Sequence, residues 1–189
     1  MSRWPRVPRM PGALTLVACG APLAAQAGDI AAAAVAAGWD VVVVASPAGA
    51  EWLDAAAIER TTGRPLAVRQ RGVDEPRTAP MPDVVAAVPV TFNTANKVAN
   101  GISDTYAAGV LCEAIAGRTP LLMVATISTR LWGHPAVARS LETLTDCGVT
   151  FLDPTSGMPY EPRPLEPGGE FVAGFDPGWI VDAAEGAYR

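Results

Sequence analysis

Residues 84–104 read VVAAVPVTFNTANKVANGISD, and this stretch decides the fold. Val84 to Val88 form a short, unbroken apolar run, as expected of a strand buried on both faces. Pro89 ends that run, small polar residues follow, and the spacing then turns helical until Asn100-Gly101 breaks it. In an open parallel sheet, a strand end beside a helix N-terminus is where ligands bind, because unpaired N–H groups and the helix dipole meet there. Thr91, Asn93, Thr94 and Asn96 place compact donors and acceptors at this mouth. Lys97 is the only lysine among the 14 basic residues of the chain, and the only long charged side chain of the mouth. The segment suits something flat and polar-edged.

Outward from this stretch, short β-rich runs alternate with longer alanine-rich helical ones, the pattern of repeated βαβ units. Strands are expected at residues 13–19, 41–45, 66–68, 84–88, 120–125 and 149–152. Helices are expected at 23–37, 48–61, after the mouth, up to 116, and at 135–146. Ser103 or Asp104 is expected to cap the helix that ends near 116. Residues 69–82 form a long polar, proline-rich loop, a candidate active-site lid. The fold class is therefore α/β, a Rossmann-like (flavodoxin-like) three-layer fold around a six-stranded parallel sheet. Residues 1–152 make the ligand-binding domain. Residues 153–189 make a Pro/Gly-rich arm, with a short helix near its end.

At 189 residues and 19.5 kDa, the chain has the length of one domain. Half the residues are hydrophobic and 17% are charged, which excludes a disordered chain. A net charge of −5 without a basic stripe excludes a general nucleic-acid binder. Three cysteines and one histidine show no metal-ligand spacing, so no metal is expected. Arg3, Arg6 and Arg9 precede an apolar run whose Leu16-Val17-Ala18-Cys19 mimics a lipoprotein cleavage box, and Ala25-Gln26-Ala27 mimics a signal-peptidase site. Residues 13–19 are nevertheless needed as the strand that partners residues 29–45. A cytoplasmic location is expected, with no apolar run able to span a membrane. Low charge with abundant alanine and valine points to surface covered by other subunits.

The motif resembles the flavin-binding segment of the homo-oligomeric flavin-containing cysteine decarboxylases, P-A-[ST]-A-N-T-x-x-K-x-A-N-G-x-x-D. Pro89, Thr91, Asn93, Thr94, Lys97, Ala99, Asn100, Gly101 and Asp104 fall in its register. A second family segment, P-x-M-N-x-x-M-W-x-x-P, is matched at Trp132 and Pro135, conservatively at Leu131, with Ser128 where the family has a substrate-contacting asparagine. The resemblance covers residues 12–152. It implies FMN held by Gly20, Ala21 and Ser46 at the phosphate and by Pro89, Thr91, Asn93, Thr94 and Lys97, near a subunit interface of a trimer or dodecamer. Gly20 also reads as a turn glycine and Ser46 as a helix cap. Ala21 and Ala48 replace serines common in the family.

The resemblance further implies oxidative decarboxylation of a cysteine-containing small molecule or peptide. The family histidine before the fourth strand is missing, and Glu75 falls at its position. Glu75 is thus a candidate base or an exposed loop carboxylate. His134, the only histidine, is a relocated acid–base group or a helix-start residue. Arg130 is a carboxylate- or phosphate-binding group or a surface ion-pair partner. Ser128, Arg130 and Trp132 form the expected substrate side. The alternative is a flavin-binding protein without decarboxylase activity, serving as a carrier, regulator or partner subunit.

Overall fold

The computed structural model describes residues 12–75, 79–165 and 170–188. Arg3, Arg6 and Arg9 lie outside the described residues. The chain runs β1 (Ala13–Ala18), a 3-10 turn (Pro22–Gln26), α1 (Ala27–Ala36), β2 (Asp40–Ala45), α2 (Pro47–Ala50), α3 (Ala55–Thr62), β3 (Val84–Thr91), α4 (Phe92–Ala99), α5 (Tyr106–Ala116), β4 (Leu121–Thr126), α6 (Thr129–Trp132), α7 (Pro135–Asp146), β5 (Thr150–Phe151), α8 (Glu170–Ala173) and α9 (Gly178–Ala187). The five strands pair in parallel in the order β2-β1-β3-β4-β5.

The sheet has five strands where six were expected. Around the expected strand at 66–68, only Ala67 pairs: its N–H donates to Val43 O at 3.0 Å, and its carbonyl accepts from Ala45 N–H at 2.9 Å. Pro65 before it has no N–H to donate, and Arg69 and Gln70 after it are exposed, so the ladder stops at one bridge. That bridge still marks a sixth position, outside β2. Two expected helices are also divided. Residues 22–26 wind as a 3-10 turn before α1, and Asp54 starts α3 afresh by accepting from Ala57 N–H at 3.0 Å.

Alternate strand residues feed two cores. Leu14, Leu16, Val41, Val43, Val84 and Ala86 face α1, α3 and α9, while Val17, Val42, Val44, Val85 and Ala87 face α4, α5 and α7. A register shift between Ala87 and Val90 marks a bulge. It breaks the alternation, so that Val88 belongs to the first core and Val90 to the second. The two helical layers enclose the sheet, with fully buried strands that read as continuous apolar runs.

Candidate functional site

The strand order reverses between β1 and β3, which sets a crevice at their C-terminal ends. Cys19 follows β1 there and donates its N–H to Pro89 O at 3.1 Å. Its side chain is fully buried between Thr94, Ser46 and the Thr91 backbone. Burial pushes the Cys19 thiol up, and hydrogen bonds from these three neighbours offset that only in part. The thiol is therefore a neutral contact joining β1, the start of α2 and the start of α4.

Ser46 caps α2, its Oγ accepting from Gly49 N–H at 3.0 Å, which leaves the hydroxyl proton for the Cys19 sulfur. A Cβ on Gly49 would overlap the Ala18 carbonyl oxygen, so glycine is what lets α2 approach the end of β1. A Cβ on Gly20 would come within 2.7 Å of Ala48 Cβ. Gly20 and Ala21 are half-buried, and Ala21 N–H turns back to Cys19 O at 2.8 Å.

Across the crevice, Thr91 caps α4 and its Oγ1 accepts from Thr94 N–H at 3.4 Å. Asn93, in the first turn of α4, is exposed with an unengaged side-chain amide among the described residues. Pro89 is buried behind them, joined to Val88 by a cis peptide. Lys97 lies a turn further along α4, where its ammonium pairs with Asp104 at 2.8 Å. Neither Ser103 nor Asp104, the expected caps, caps α5. Asp104 is held by Lys97, and Thr105 is the cap, accepting from Ala108 N–H at 3.2 Å.

The segment after β4 forms the second wall. Thr126 Oγ1 donates to Val90 O at 3.3 Å, which ties the ends of β4 and β3 together. Ser128 stands before α6 with a hydroxyl that caps nothing, and Arg130 is exposed with no ion pair among the described residues. Trp132 turns away toward α7, where it lines a cavity of about 410 Å³ with Val137, Leu141 and Pro162. His134 returns to the mouth. Its ring meets that of Phe92 edge-on at 5.6 Å, and its Nδ1 accepts from Ala136 N–H at 3.1 Å. With Nδ1 engaged as an acceptor, hydrogen-bonding logic assigns the ring proton to Nε2.

Glu75 sits in a different setting. Arg69 clasps both its carboxylate oxygens, at 2.7 and 3.2 Å, and Gly72 N–H donates to it at 2.8 Å. Arg69 first, and the Gly72 amide next, hold its carboxyl below the usual range. The structure brings forward three residues outside the expected site: Cys19, Phe92 and Ser140. Phe92 carried a signal, since it stands where the flavin motif has alanine. Ser140 carried another, as a polar residue inside the apolar stripe of α7. Among the described residues, no cluster of His, Cys, Asp and Glu is placed to hold a metal ion, and no helix is long and apolar enough to cross a membrane.

The mouth thus offers an exposed amide, several hydroxyls and the first-turn N–H groups of α4, a donor set that fits a polar-edged ring bearing an anionic tail. The family model described as Flavoprotein matches residues 11–162. The bifunctional coenzyme A biosynthesis protein CoaBC of Thermococcus kodakarensis is 36% identical over 72 residues, which is 38% of this chain and 18% of that protein. The chain spans less than a third of the length of the first curated relatives it matches. Among solved structures, a PPC decarboxylase mutant complexed with pantothenoylaminoethenethiol superposes with a TM-score of 0.69 at 19% identity, covering 94% of this chain and 97% of the other. The FMN-dependent cysteine decarboxylase TvaF from thioviridamide biosynthesis gives 0.66 at 22% identity, covering 75% and 90%. At such identities these likenesses establish the fold.

Proposed function

Because the chain belongs to the Flavoprotein family, we propose that it binds FMN at the β1/β3 crevice and oxidatively decarboxylates a cysteine-containing peptide or small molecule. The observation that carries the reading is the Flavoprotein match over residues 11–162, with the Thr91-capped start of α4 and the exposed Asn93 at the β1/β3 crevice. Asn93, Thr91 and Thr94 serve the polar edge of the ring, with Pro89 as the wall behind them. Gly20, Ala21 and Ser46 line the phosphate end of the crevice, where Gly20 offers its backbone N–H. Lys97, held by Asp104, supports α4 rather than reaching the cofactor.

FMN, when bound, supplies two-electron oxidation of the cysteine side chain, which labilises the neighbouring carboxylate toward loss as carbon dioxide. On the protein side, Arg130 and Ser128 bind the substrate carboxylate, the guanidinium by two parallel hydrogen bonds. Trp132, turned toward the cavity beside α7, stays out of that contact. His134 donates from Nε2 and handles the proton there, since the carboxylate of Glu75 is taken by Arg69 and Gly72. FMN sits near an interface of a cytoplasmic homo-oligomer, a trimer or dodecamer, in which the 45% exposed Trp52 is covered.

The purified protein is expected to be yellow, or to turn yellow on adding FMN. Peptides ending in cysteine should bleach it, with loss of carbon dioxide seen by mass spectrometry. Asn93→Ala should weaken FMN binding by about tenfold, the scale of one lost hydrogen bond to a buried ligand edge. A protein that takes up no FMN would sink the proposal. A second reading, a flavin-binding protein without decarboxylase activity, is favoured by the lock on Glu75 in a loop that has no histidine. A yellow protein that no thiol substrate bleaches would select it.

A further inference from the structure

We infer that Ser140 and Asn96 are positioning residues, which together set the substrate segment of residues 128–134 against the first turn of α4. The inference rests on the functional reading for its consequence in catalysis, but its geometry stands without it. Ser140 is 4% exposed and lies in the apolar stripe that α7 turns to the core, between Val137 and Leu144. A buried hydroxyl destabilises unless it is hydrogen-bonded. A helical serine or threonine can satisfy itself on the carbonyl four residues back, and Thr143 does so, donating to Arg139 O at 2.8 Å.

Ser140 instead reaches another helix. Its Oγ donates to Asn96 Oδ1 at 2.6 Å, and Asn96 Nδ2 donates in turn to Phe92 O at 2.8 Å. Among the described residues this is the one hydrogen bond between α4 and α7. Apolar contacts alone let one helix slide or rotate against another at little cost, whereas a buried, directional bond between the helices favours one offset.

The bond closes a ring of contacts. Asn96 grips the carbonyl of Phe92 and so braces the turn that carries Asn93 and Thr94. Ser140 anchors α7, and α7 carries His134 as its cap. The His134 ring rests edge-on against Phe92 at 5.6 Å. Loss of the Ser140 hydroxyl leaves Asn96 Oδ1 without its donor and frees α7 to carry His134, and the segment before it, away from Phe92. The effect falls on the substrate side, since α7 and the segment before it shift, while the first turn of α4 keeps its Thr91 cap and the Asn96 bond to Phe92 O.

The test uses the single histidine, whose ring protons give unambiguous NMR signals displaced by the ring current of Phe92. Phe92→Ala supplies the undisplaced positions. In the cofactor-free protein, Ser140→Ala should move the His134 signals at least halfway toward those positions, while Ser140→Thr, which keeps the hydroxyl, should leave them near wild type. Ser140→Cys, isosteric with a weaker donor, should move them partway and guards against misfolding of the alanine variant. Wild-type signals in either the alanine or the cysteine variant would overturn the inference. In FMN-loaded protein, Ser140→Ala should raise KM for a cysteine-ending peptide about tenfold, with FMN affinity changed less than about threefold. An unchanged KM, or loss of both together, would also overturn it. Wild-type protein that binds no FMN would sink the functional reading and leave the NMR result to decide this one.

Discussion

Tyr160 shows how one residue's surroundings set its titration. The phenol packs beside β5, and its hydroxyl finds no hydrogen-bond partner among the described residues. Burial first, and the Asp153 carboxylate second, push it up to about 12; the backbone and guanidinium of Arg163 pull the other way without supplying a hydrogen bond of normal geometry. An unfolded tyrosine ionises near 10. The fold therefore retains a proton that the unfolded chain gives up, and the resulting stability is intact below about pH 10 and is lost as pH rises toward about 12. Thermal melts from about pH 9 to about pH 12 should show Tyr160→Phe losing less Tm than wild type. Parallel curves would mean that the phenol ionises freely in the folded state. Glu75 is the opposite case, since its cation and amide stabilise the charged form, and the three hydrogen bonds that lower its pKa also make it a weaker base.

At the scale of an element, α4 is fixed at both ends by different chemistry. Its start is held by the Thr91 cap and the Asn96 grip on Phe92. Its end is a Schellman motif, in which Ile102 N–H donates to Lys97 O at 2.8 Å and Gly101 N–H to Val98 O at 3.1 Å. Gly101 has φ +68, a region that a Cβ disfavours. Gly101→Val should cost on the order of 1–2 kcal/mol in urea unfolding, and a loss near zero would mean that this turn tolerates a side chain. The Lys97–Asp104 pair beside it is half-exposed and contributes little to stability. Asp104 is engaged with Lys97, and Thr105 caps α5. Motif spacing identified the residues here; it did not show which partner each of them would take.

For the whole molecule, the C-terminal part is built into the core rather than laid over it. Ile180, Val181 and Ala184 of α9 pack with Leu14, Leu16, Val84 and Ala86 on the first face of the sheet, and Ile180 is fully buried. Ile180→Ala should cost about 2–5 kcal/mol by equilibrium unfolding, as expected for deleting a fully buried branched side chain. A loss below about 1 kcal/mol would make α9 a loose appendage.

Much of the fold was legible because buried parallel strands read as unbroken apolar runs and helices as alanine-rich periodic ones. Five strands and the main helices followed from that local pattern. The mouth was legible too, since a strand end followed by small polar residues and a helix is a local signal. The sequence by itself determined the layer architecture, the position of the mouth and the residue types it offers, because these depend on neighbours a few positions apart. The tertiary structure alone decided the rest: that Ala67 pairs as one bridge, that Cys19 joins Ser46 to Thr94, that Glu75 is held by Arg69, and that Ser140 reaches Asn96. Each of these is a short-range contact that exists only where packing sets two side chains in reach, and most of them close over long separations along the chain. A hydrogen bond acts over about 3 Å, and no periodicity in the chain encodes a distance between residues that meet only once the sheet has formed.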